Sequence, residues 1–255
     1  MKSSVLGTLE TYYDTAPRAT ASAEEVGPFT LFVKDDPSGW DYYARPTLGV
    51  TEDIGVEDIH RAQQRMLERS VPISFEWVHD TTPSLLDAAK GAGLHVDECP
   101  LLVLPADAPA ARRKSDADVR LLDADEPRLD EVVGAVNAGF EGSDHVEVRG
   151  ADRQRRLMHA GLLAMAGAFD ESNAVGGGSH GPRGSTTELT GIAVLPRARR
   201  RGIGADLTAA LVDDARARGV GTVFLSAQDD AVARVYERVG FVRVGTACMA
   251  EVPNR

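Results

Sequence analysis

The clearest apolar pattern in the chain recurs every four residues in its C-terminal half. Ile203, Leu207, Leu211 and Ala215 stand at i, i+4, i+8 and i+12. This spacing predicts a helix with one apolar stripe that faces a sheet. Gly219 follows the pattern and indicates the end of the helix, because glycine readily adopts the left-handed conformation in which helices often stop.

The rest of the C-terminal half alternates between strand and helix patterns. Alternating or short apolar runs between turn residues indicate strands, and apolar residues three or four apart indicate helices. The predicted strands are 118–122, 163–169, 174–179, 188–195, 220–225, 241–244 and 247–252, with a turn at 181–185 and the last two strands as a closing pair. The other predicted helices are 129–140, 157–163 and 231–239. This order indicates an α/β (α+β) fold with a mixed sheet.

The N-terminal half repeats the later order of elements. Strands are predicted at 28–34, 40–44, 73–78 and 95–104, and helices at 56–67 and 83–91. Between the halves, residues 105–115 are rich in proline, alanine and charge and have no apolar period, which is typical of a linker. The sequence therefore predicts two domains, 1–110 and 111–255.

Composition and charge narrow the function classes. Of 255 residues, 43% are hydrophobic and 26% are charged, and the net charge is −11. Such an acidic chain is not expected to bind nucleic acid through its general electrostatic field, and it is compatible with a cationic amine as a substrate.

No apolar run approaches the roughly 20 residues that span a bilayer, and no signal peptide is recognisable. We therefore expect a cytoplasmic protein that does not bind membranes. Cys99 and Cys248 lie far apart and outside any Cys-x-x-Cys pair, so neither a disulfide framework nor a metal site is expected.

A cluster of arginine and glycine stands where predicted strand 188–195 gives way to the helix from Ile203. Arg199-x-x-Gly202-x-Gly204 lies at this junction. The first N–H groups of a helix lack intrahelical partners, and the helix dipole adds positive potential, so helix starts attract anions. The Walker and dinucleotide-binding patterns fail here, because no Gly-Lys-Ser/Thr and no third glycine are present. An anion cradle and a solvated basic turn both fit the short pattern.

Longer stretches around this junction resemble the GNAT superfamily of N-acetyltransferases. They are 188–196, Arg199-x-x-Gly202-x-Gly204 and 233–241, in the order typical of the family. The resemblance covers residues 118–252 and implies a mixed, mostly antiparallel central sheet flanked by helices, with strands that splay at the coenzyme A site. It also implies acetyl-CoA as the cosubstrate, with no metal.

The resemblance further implies how the main chain would hold acetyl-CoA. The pantetheine arm would pair with the backbone of Ile192, Ala193 and Val194, and the N–H near Val194 would polarise the thioester carbonyl. The diphosphate would meet main-chain N–H groups of the remaining motif residues, which are Arg199, Arg200, Arg201, Gly202, Ile203, Gly204 and Ala205.

Two side chains are candidates for proton transfer by the same resemblance. Tyr236 stands where the family often places a general acid for the departing thiolate, and a phenol is a workable donor to a thiolate. Packing against the coenzyme A tail is the alternative for Tyr236. Glu188 could take the proton of the attacking ammonium, directly or through water, or it could be an exposed strand residue.

The acceptor is expected to lie near the connection after helix 129–140. Glu141 and His145 fall in that connection, although a solvated loop also fits His145. Asp229 replaces the asparagine that the family often has at the start of the last helix. Its carboxylate would either cap the helix or bind a cationic substrate.

The N-terminal half lacks the cradle motif. The corresponding segment, 51–58, is rich in carboxylates, which would repel a diphosphate. We therefore predict a degenerate GNAT-like domain that binds no coenzyme A and walls the acceptor site; an unrelated α+β lid is the alternative.

Together these features predict an acetyl-CoA-dependent N-acetyltransferase that acts by direct attack of an amine in a ternary complex. The partner would be a small-molecule or peptide amine acceptor, and the protein would be a monomer or a homodimer. The alternative is a coenzyme A-binding sensor or scaffold that has lost turnover. Transfer of a longer acyl group also stays open.

Overall fold

A computed structural model describes residues 2–36, 39–111, 115–148, 150–171 and 173–253. Its helices are α1 Lys2–Thr15, α2 Val56–Glu68, α3 Ser84–Gly91, α4 Leu129–Phe140, α5 Asp152–His159, α6 Ile203–Ala217 and α7 Asp230–Val239. Its strands are β1 Ala21–Val26, β2 Phe29–Lys34, β3 Ala44–Pro46, β4 Ser74–Val78, β5 His95–Leu104, β6 Asp118–Leu121, β7 Ala164–Asp170, β8 Asn173–Arg183, β9 Thr186–Val194, β10 Thr222–Ser226 and β11 Val242–Glu251. The chain divides into two compact units: residues 1–101, 226–233 and 243–255 form the first, and residues 102–225 and 234–242 form the second.

The first unit contains a sheet with the strand order β1-β2-β3-β4-β11. Neighbouring strands are antiparallel except β3 and β4, which are parallel. Its core joins α2 and α3 to this sheet through buried side chains that include Ile59, Phe75 and Leu85. Burial of each such side chain contributes about 1.5–3 kcal/mol, so these apolar stripes fix the helices to the sheet.

The compact units are not consecutive halves of the chain. Strand β11, near the C-terminus, pairs with β4 from Ala247 opposite Val78 to Glu251 opposite Ser74, so the end of the chain belongs to the first unit. The two compact units have other bounds than the predicted domains 1–110 and 111–255. The boundary between residues 110 and 111 therefore stays a prediction.

The closing strand pair predicted at 241–244 and 247–252 is wrong, because β11 is one continuous strand. Gly245 lies between the two predicted strands but does not turn the chain. A Cβ at Gly245 would lie 2.6 Å from Asp80 Oδ2, and Asp80 accepts the N–H of Thr246. This glycine therefore serves the close approach of a carboxylate.

Two elements of the first unit have no counterpart in the sequence prediction. Helix α1 buries Leu6, Leu9, Tyr12 and Tyr13. The helical spacing of these apolar residues is the sequence pattern from which α1 could have been predicted. Strand β1 buries little more than its two end residues, because it is an edge strand with a polar centre. The strand predicted at 40–44 is observed only at Ala44–Pro46, and Trp40 is 61% exposed.

The second unit contains a sheet with the strand order β10-β9-β8-β7-β6. Strands β6 to β9 form an antiparallel meander, and β10 is parallel to β9. Helices α4 and α6 both contact this sheet. The core beneath α4 includes Leu129, Val132 and Phe169. The mixed, mostly antiparallel sheet flanked by helices confirms the predicted fold class.

The helix predicted at 157–163 lies earlier, at Asp152–His159. None of its residues is buried, so it lacks the apolar stripe on which the prediction relied. Gly161 then adopts φ +70°, which only glycine takes readily, and the chain turns into β7. The turn predicted at 181–185 is shorter than expected, because β8 continues to Arg183 and β9 begins at Thr186.

Three consecutive glycines in β8 allow close packing. A Cβ would lie 2.6 Å from Ala193 O at Gly176, 2.6 Å from Val132 Cγ1 at Gly177 and 2.7 Å from Ile192 Cγ1 at Gly178. Real Cβ atoms do not approach other atoms so closely. A side chain at one of these positions would therefore push α4 away from the sheet or force β8 and β9 apart.

We expect Gly177→Ala to lower the melting temperature by several degrees, because overpacking of a filled core costs about 1–3 kcal/mol. Gly7→Ala is the control, since nothing lies within 4 Å of a Cβ at Gly7 on α1; we expect it to leave the melting temperature unchanged or to raise it slightly. Thermal unfolding followed by circular dichroism measures both. Equal melting temperatures for the two variants would contradict this account of the glycine run.

Candidate active site

Strands β9 and β10 pair for only three residues and then part. The register runs from Thr186 opposite Thr222 to Glu188 opposite Phe224. Strand β9 continues to Val194 with no further β10 partner among the described residues. The predicted splay of neighbouring strands is therefore present, and Glu188 stands at the fork.

A bulge interrupts the pairing of β9 with β8. Gly191 adopts φ +64°, and the register with β8 shifts between Gly177 and Ser179. Beyond the bulge, the N–H of Leu195 donates to Val175 O at 2.9 Å. Because successive N–H groups of a strand point in opposite directions, the N–H of Val194 points away from β8 and into the opening.

The segment after β9 presents a row of main-chain donors. A 3₁₀ turn at Pro196–Ala198 leads into Arg200 at φ +62° and Gly202 at φ +87°, and α6 begins at Ile203. Within the described ranges, the N–H groups of residues 200–205 have no acceptor, and the first paired one is Asp206, on Gly202 O at 3.1 Å. Six consecutive acceptor-free donors at a helix N-terminus are an arrangement that attracts anions, and the anion cradle itself stays a prediction.

The three arginines of the cradle have different surroundings. Arg199 donates from Nε to Val194 O at 3.0 Å and from Nη2 to Gly139 O at 2.6 Å. Arg201 pairs with Asp170 at 2.6 Å and Asp116 at 3.0 Å; its hydrogen bond to Asp170, followed by that to Asp116, raises the pKa of Arg201 above its usual range. Arg200 is exposed and has no partner among the described side chains.

Tyr236 is a half-buried residue of α7. Its ring meets Phe241 edge-on, with centroids 6.0 Å apart, and its hydroxyl has no hydrogen-bond partner in the described part of the chain. Burial raises the pKa of Tyr236 to about 12, so the phenol stays protonated at neutral pH and can act as a proton donor. Glu188 is partly buried, between Gly181 of β8 and Phe224 of β10.

The predicted acceptor residues are not brought together. His145 is exposed and lines a surface cavity of about 300 Å³ with Glu131, Asp144, Asn173 and Arg197, among others. Glu141 is exposed and is absent from the described lining. Asp229 belongs to the first compact unit, where its Oδ1 accepts the N–H of Val232 at 2.8 Å, so of the two predicted roles the helix cap is the observed one.

For His180, at the end of a predicted strand, the sequence favours a solvated position over contact with substrate, but the structure shows that the residue is buried. Its side chain is fully buried; Nδ1 lies 3.0 Å from Thr187 Oγ1 and Nε2 lies 2.8 Å from Asp214 Oδ2. Desolvation lowers the pKa of His180 although Asp214 acts against it. Burial acts to raise the pKa of Asp214, but hydrogen bonds from Arg218 and His180 lower it overall. These contacts tie the C-terminal part of α6 to β8 and β9.

In the first unit, the helix start that follows β3 is capped by a side chain of the chain itself. Helix α2 follows β3 through the acidic segment, and Asp58 Oδ2 accepts the N–H of Gly55 at 3.1 Å. A carboxylate of the chain therefore occupies this helix start, where an anion would otherwise bind.

Comparisons with known proteins agree with this geometry. A sequence model of the acetyltransferase (GNAT) family matches residues 110–241, and the chain belongs to this family. No curated protein matches the sequence. The chain is similar in fold to the GCN5-related N-acetyltransferase from Kribbella flavida, with 19% identity, a TM-score of 0.74 and coverage of 98% of this chain and 96% of the other.

Two further solved structures extend the likeness in fold. The GCN5-related N-acetyltransferase from Sphaerobacter thermophilus has 16% identity and a TM-score of 0.60, with coverage of 89% and 81%. A tandem GNAT protein from the clavulanic acid biosynthesis pathway has 14% identity and a TM-score of 0.55, with coverage of 89% and 79%. Family membership supports acyl transfer as the general class of activity.

In the described part of the chain, no helix is long and apolar enough to cross a membrane, and no cluster of His, Cys, Asp or Glu could hold a metal ion.

We expect the contribution of His180 to stability to fall in mild acid. Its folded-state pKa is lowered, so below about pH 6.5, the ordinary histidine value, the unfolded chain binds a proton that the folded protein resists. Replacement by His180→Phe should lower the melting temperature more at pH 7.5 than at pH 5. A difference between wild type and variant that stays constant over this range would contradict the prediction.

Proposed function

We propose that the protein is an N-acetyltransferase that moves the acetyl group of acetyl-CoA to an amine by direct attack in a ternary complex. The observation that carries the proposal is the row of six acceptor-free N–H groups at 200–205, directly after a strand that parts from its neighbour. A diphosphate offers several charged acceptors to such a row. The open edge of Ile192 to Val194 offers main-chain groups to the amide-containing pantetheine arm.

Within this proposal each side chain has a distinct task. Glu188 takes the proton from the acceptor ammonium, directly or through water, and frees the nucleophilic amine. The N–H of Val194 donates to the thioester oxygen and stabilises the charge that grows there as the amine attacks. Tyr236, which is neutral and carries its proton before the reaction, protonates the thiolate as the carbon–sulfur bond breaks.

The acceptor belongs to the class of small-molecule or peptide amines. The acidic chain, with a net charge of −11, favours the approach of a cation. Contact of the acceptor with Glu141 and His145, a cytoplasmic location, a monomeric or homodimeric state and the lack of a bound metal stay predictions from the sequence. The proposed absence of coenzyme A from the first unit is supported by the Asp58 cap on α2.

We expect wild type to bind coenzyme A in a calorimetric titration and Arg200→Glu to weaken that binding by about tenfold or more, because a repelled charge-assisted contact costs at least about 1.4 kcal/mol. Arg61→Glu is the control, since Arg61 is an exposed residue of α2 and the change alters the net charge by the same amount in the first unit. Absence of binding in wild type, or equal affinity in both variants, would contradict the cradle.

We expect Tyr236→Phe to lower kcat by about 10²–10⁴-fold, the usual contribution of a positioned acid, with little change in the affinity for coenzyme A. Release of free thiol from acetyl-CoA over a panel of amines measures kcat. Unchanged turnover would exclude Tyr236 as the acid. Tight coenzyme A binding with no thiol release from any amine in wild type would instead favour a sensor or scaffold.

A further inference from the structure

The last residue of β9 is fixed by close contacts with two glycines. A Cβ at Gly139, near the end of α4, would lie 3.2 Å from Val194 N and 3.1 Å from Ala193 Cβ. A Cβ at Gly176 on β8 would lie 3.1 Å from Val194 Cα. The missing side chains let the backbone of α4 and β8 approach Val194 and leave space beside its nitrogen.

Arg199 adds a polar tie at the same place. Its guanidinium donates from Nε to Val194 O at 3.0 Å and from Nη2 to Gly139 O at 2.6 Å. The planar guanidinium holds its donors in a fixed fork, so it locks the last turn of α4 to the end of β9. Its positive charge also lies at the C-terminus of α4, where the helix dipole favours a cation.

This arrangement separates Arg199 from Arg200. Both residues are exposed, but the Nε and Nη2 donors of Arg199 bind carbonyl groups of the protein, whereas Arg200 has no partner among the described residues. A side chain that held a diphosphate would turn such donors outward. The first arginine of the motif is therefore oriented toward Val194.

We propose that Arg199 is a positioning residue for acyl transfer, which fixes Val194 so that its N–H meets the thioester carbonyl. The proposal rests on the acetyltransferase function proposed above. A donor preorganised toward a reacting oxygen loses much of its effect when it shifts by about 1 Å. Loss of the fork should therefore impair the interaction with the carbonyl and the rate of transfer, and should leave the grip on the diphosphate intact.

The test compares arginine-to-lysine changes inside and outside the site. Arg199→Lys keeps the positive charge but cannot reproduce the two-donor fork, and Arg61→Lys, at an exposed position of α2 in the first unit, is the control. Gly139→Ala displaces Val194 by a second route that leaves every charge in place. Binding of coenzyme A is measured by calorimetry, and the carbonyl of acetyl-CoA labelled with carbon-13 is followed by infrared difference spectroscopy, which needs no acceptor amine.

In wild type and in Arg61→Lys, we expect bound acetyl-CoA to show a carbonyl stretch shifted to lower frequency. In Arg199→Lys and Gly139→Ala, we expect most of that shift to be lost and kcat to fall by about tenfold or more, while the Kd for coenzyme A changes by no more than about twofold. A purely structural role would lower the melting temperature without this selective loss of the carbonyl shift.

Three results would overturn the inference. One is a carbonyl shift in Arg199→Lys equal to that of wild type. Another is an Arg199→Ala variant that weakens coenzyme A as strongly as Arg200→Ala does and keeps the shift, which would make Arg199 a diphosphate ligand. The third is wild type that binds acetyl-CoA without any shift of the thioester carbonyl stretch. If wild type binds no coenzyme A, the proposed function itself fails, and this outcome is distinct from the other three.

Discussion

Main-chain N–H groups need acceptors, and this requirement shapes the second compact unit around residues 200–205. Leaving polar groups unpaired is costly when they are buried, so a row of six donors persists only where water or an anion can reach it. Arg200 at φ +62° adds a conformation that side chains rarely adopt, at a cost of about 1–3 kcal/mol. The structure keeps this turn in place with the side chains on either side of it.

Those supports come from distant parts of the same unit. Arg201 pairs with Asp116 and Asp170, and Asp206 at the start of α6 accepts from Ser115 Oγ at 3.0 Å. Further along α6, Asp214 binds His180 of β8 at 2.8 Å. The cradle helix is therefore attached to the sheet near both of its ends, which places the donors at a fixed distance from the fork between β9 and β10.

Local patterns in the sequence were enough to predict the elements that carry the site. The four-residue apolar spacing from Ile203 and the glycine-arginine junction depend only on neighbours along the chain, and both are present as predicted. The side-chain roles could not be predicted in this way. Arg199 and Arg201 are adjacent in a basic cluster, yet their partners, Gly139 and Asp170 among them, lie 60 and 31 positions away.

The same limit explains the errors elsewhere. β11 has a clear strand pattern, but its pairing with β4 depends on residues about 170 positions earlier, from 74 to 78, and on an aspartate that needs the space beside Gly245. His180 has the polar side chain of a loop residue, and only its contacts with Thr187 and Asp214 make its burial favourable. That the acidic segment 51–58 is unsuited to a diphosphate stays a prediction; Asp58, in the first turn of α2, accepts the N–H of Gly55.

The central claim is that the main chain at the start of α6 holds the diphosphate of coenzyme A. A crystal structure of the protein with coenzyme A tests it most directly. The account predicts diphosphate oxygens within hydrogen-bond distance of the N–H groups of residues 200–205. Coenzyme A bound elsewhere, or bound with its diphosphate away from this turn, would contradict it.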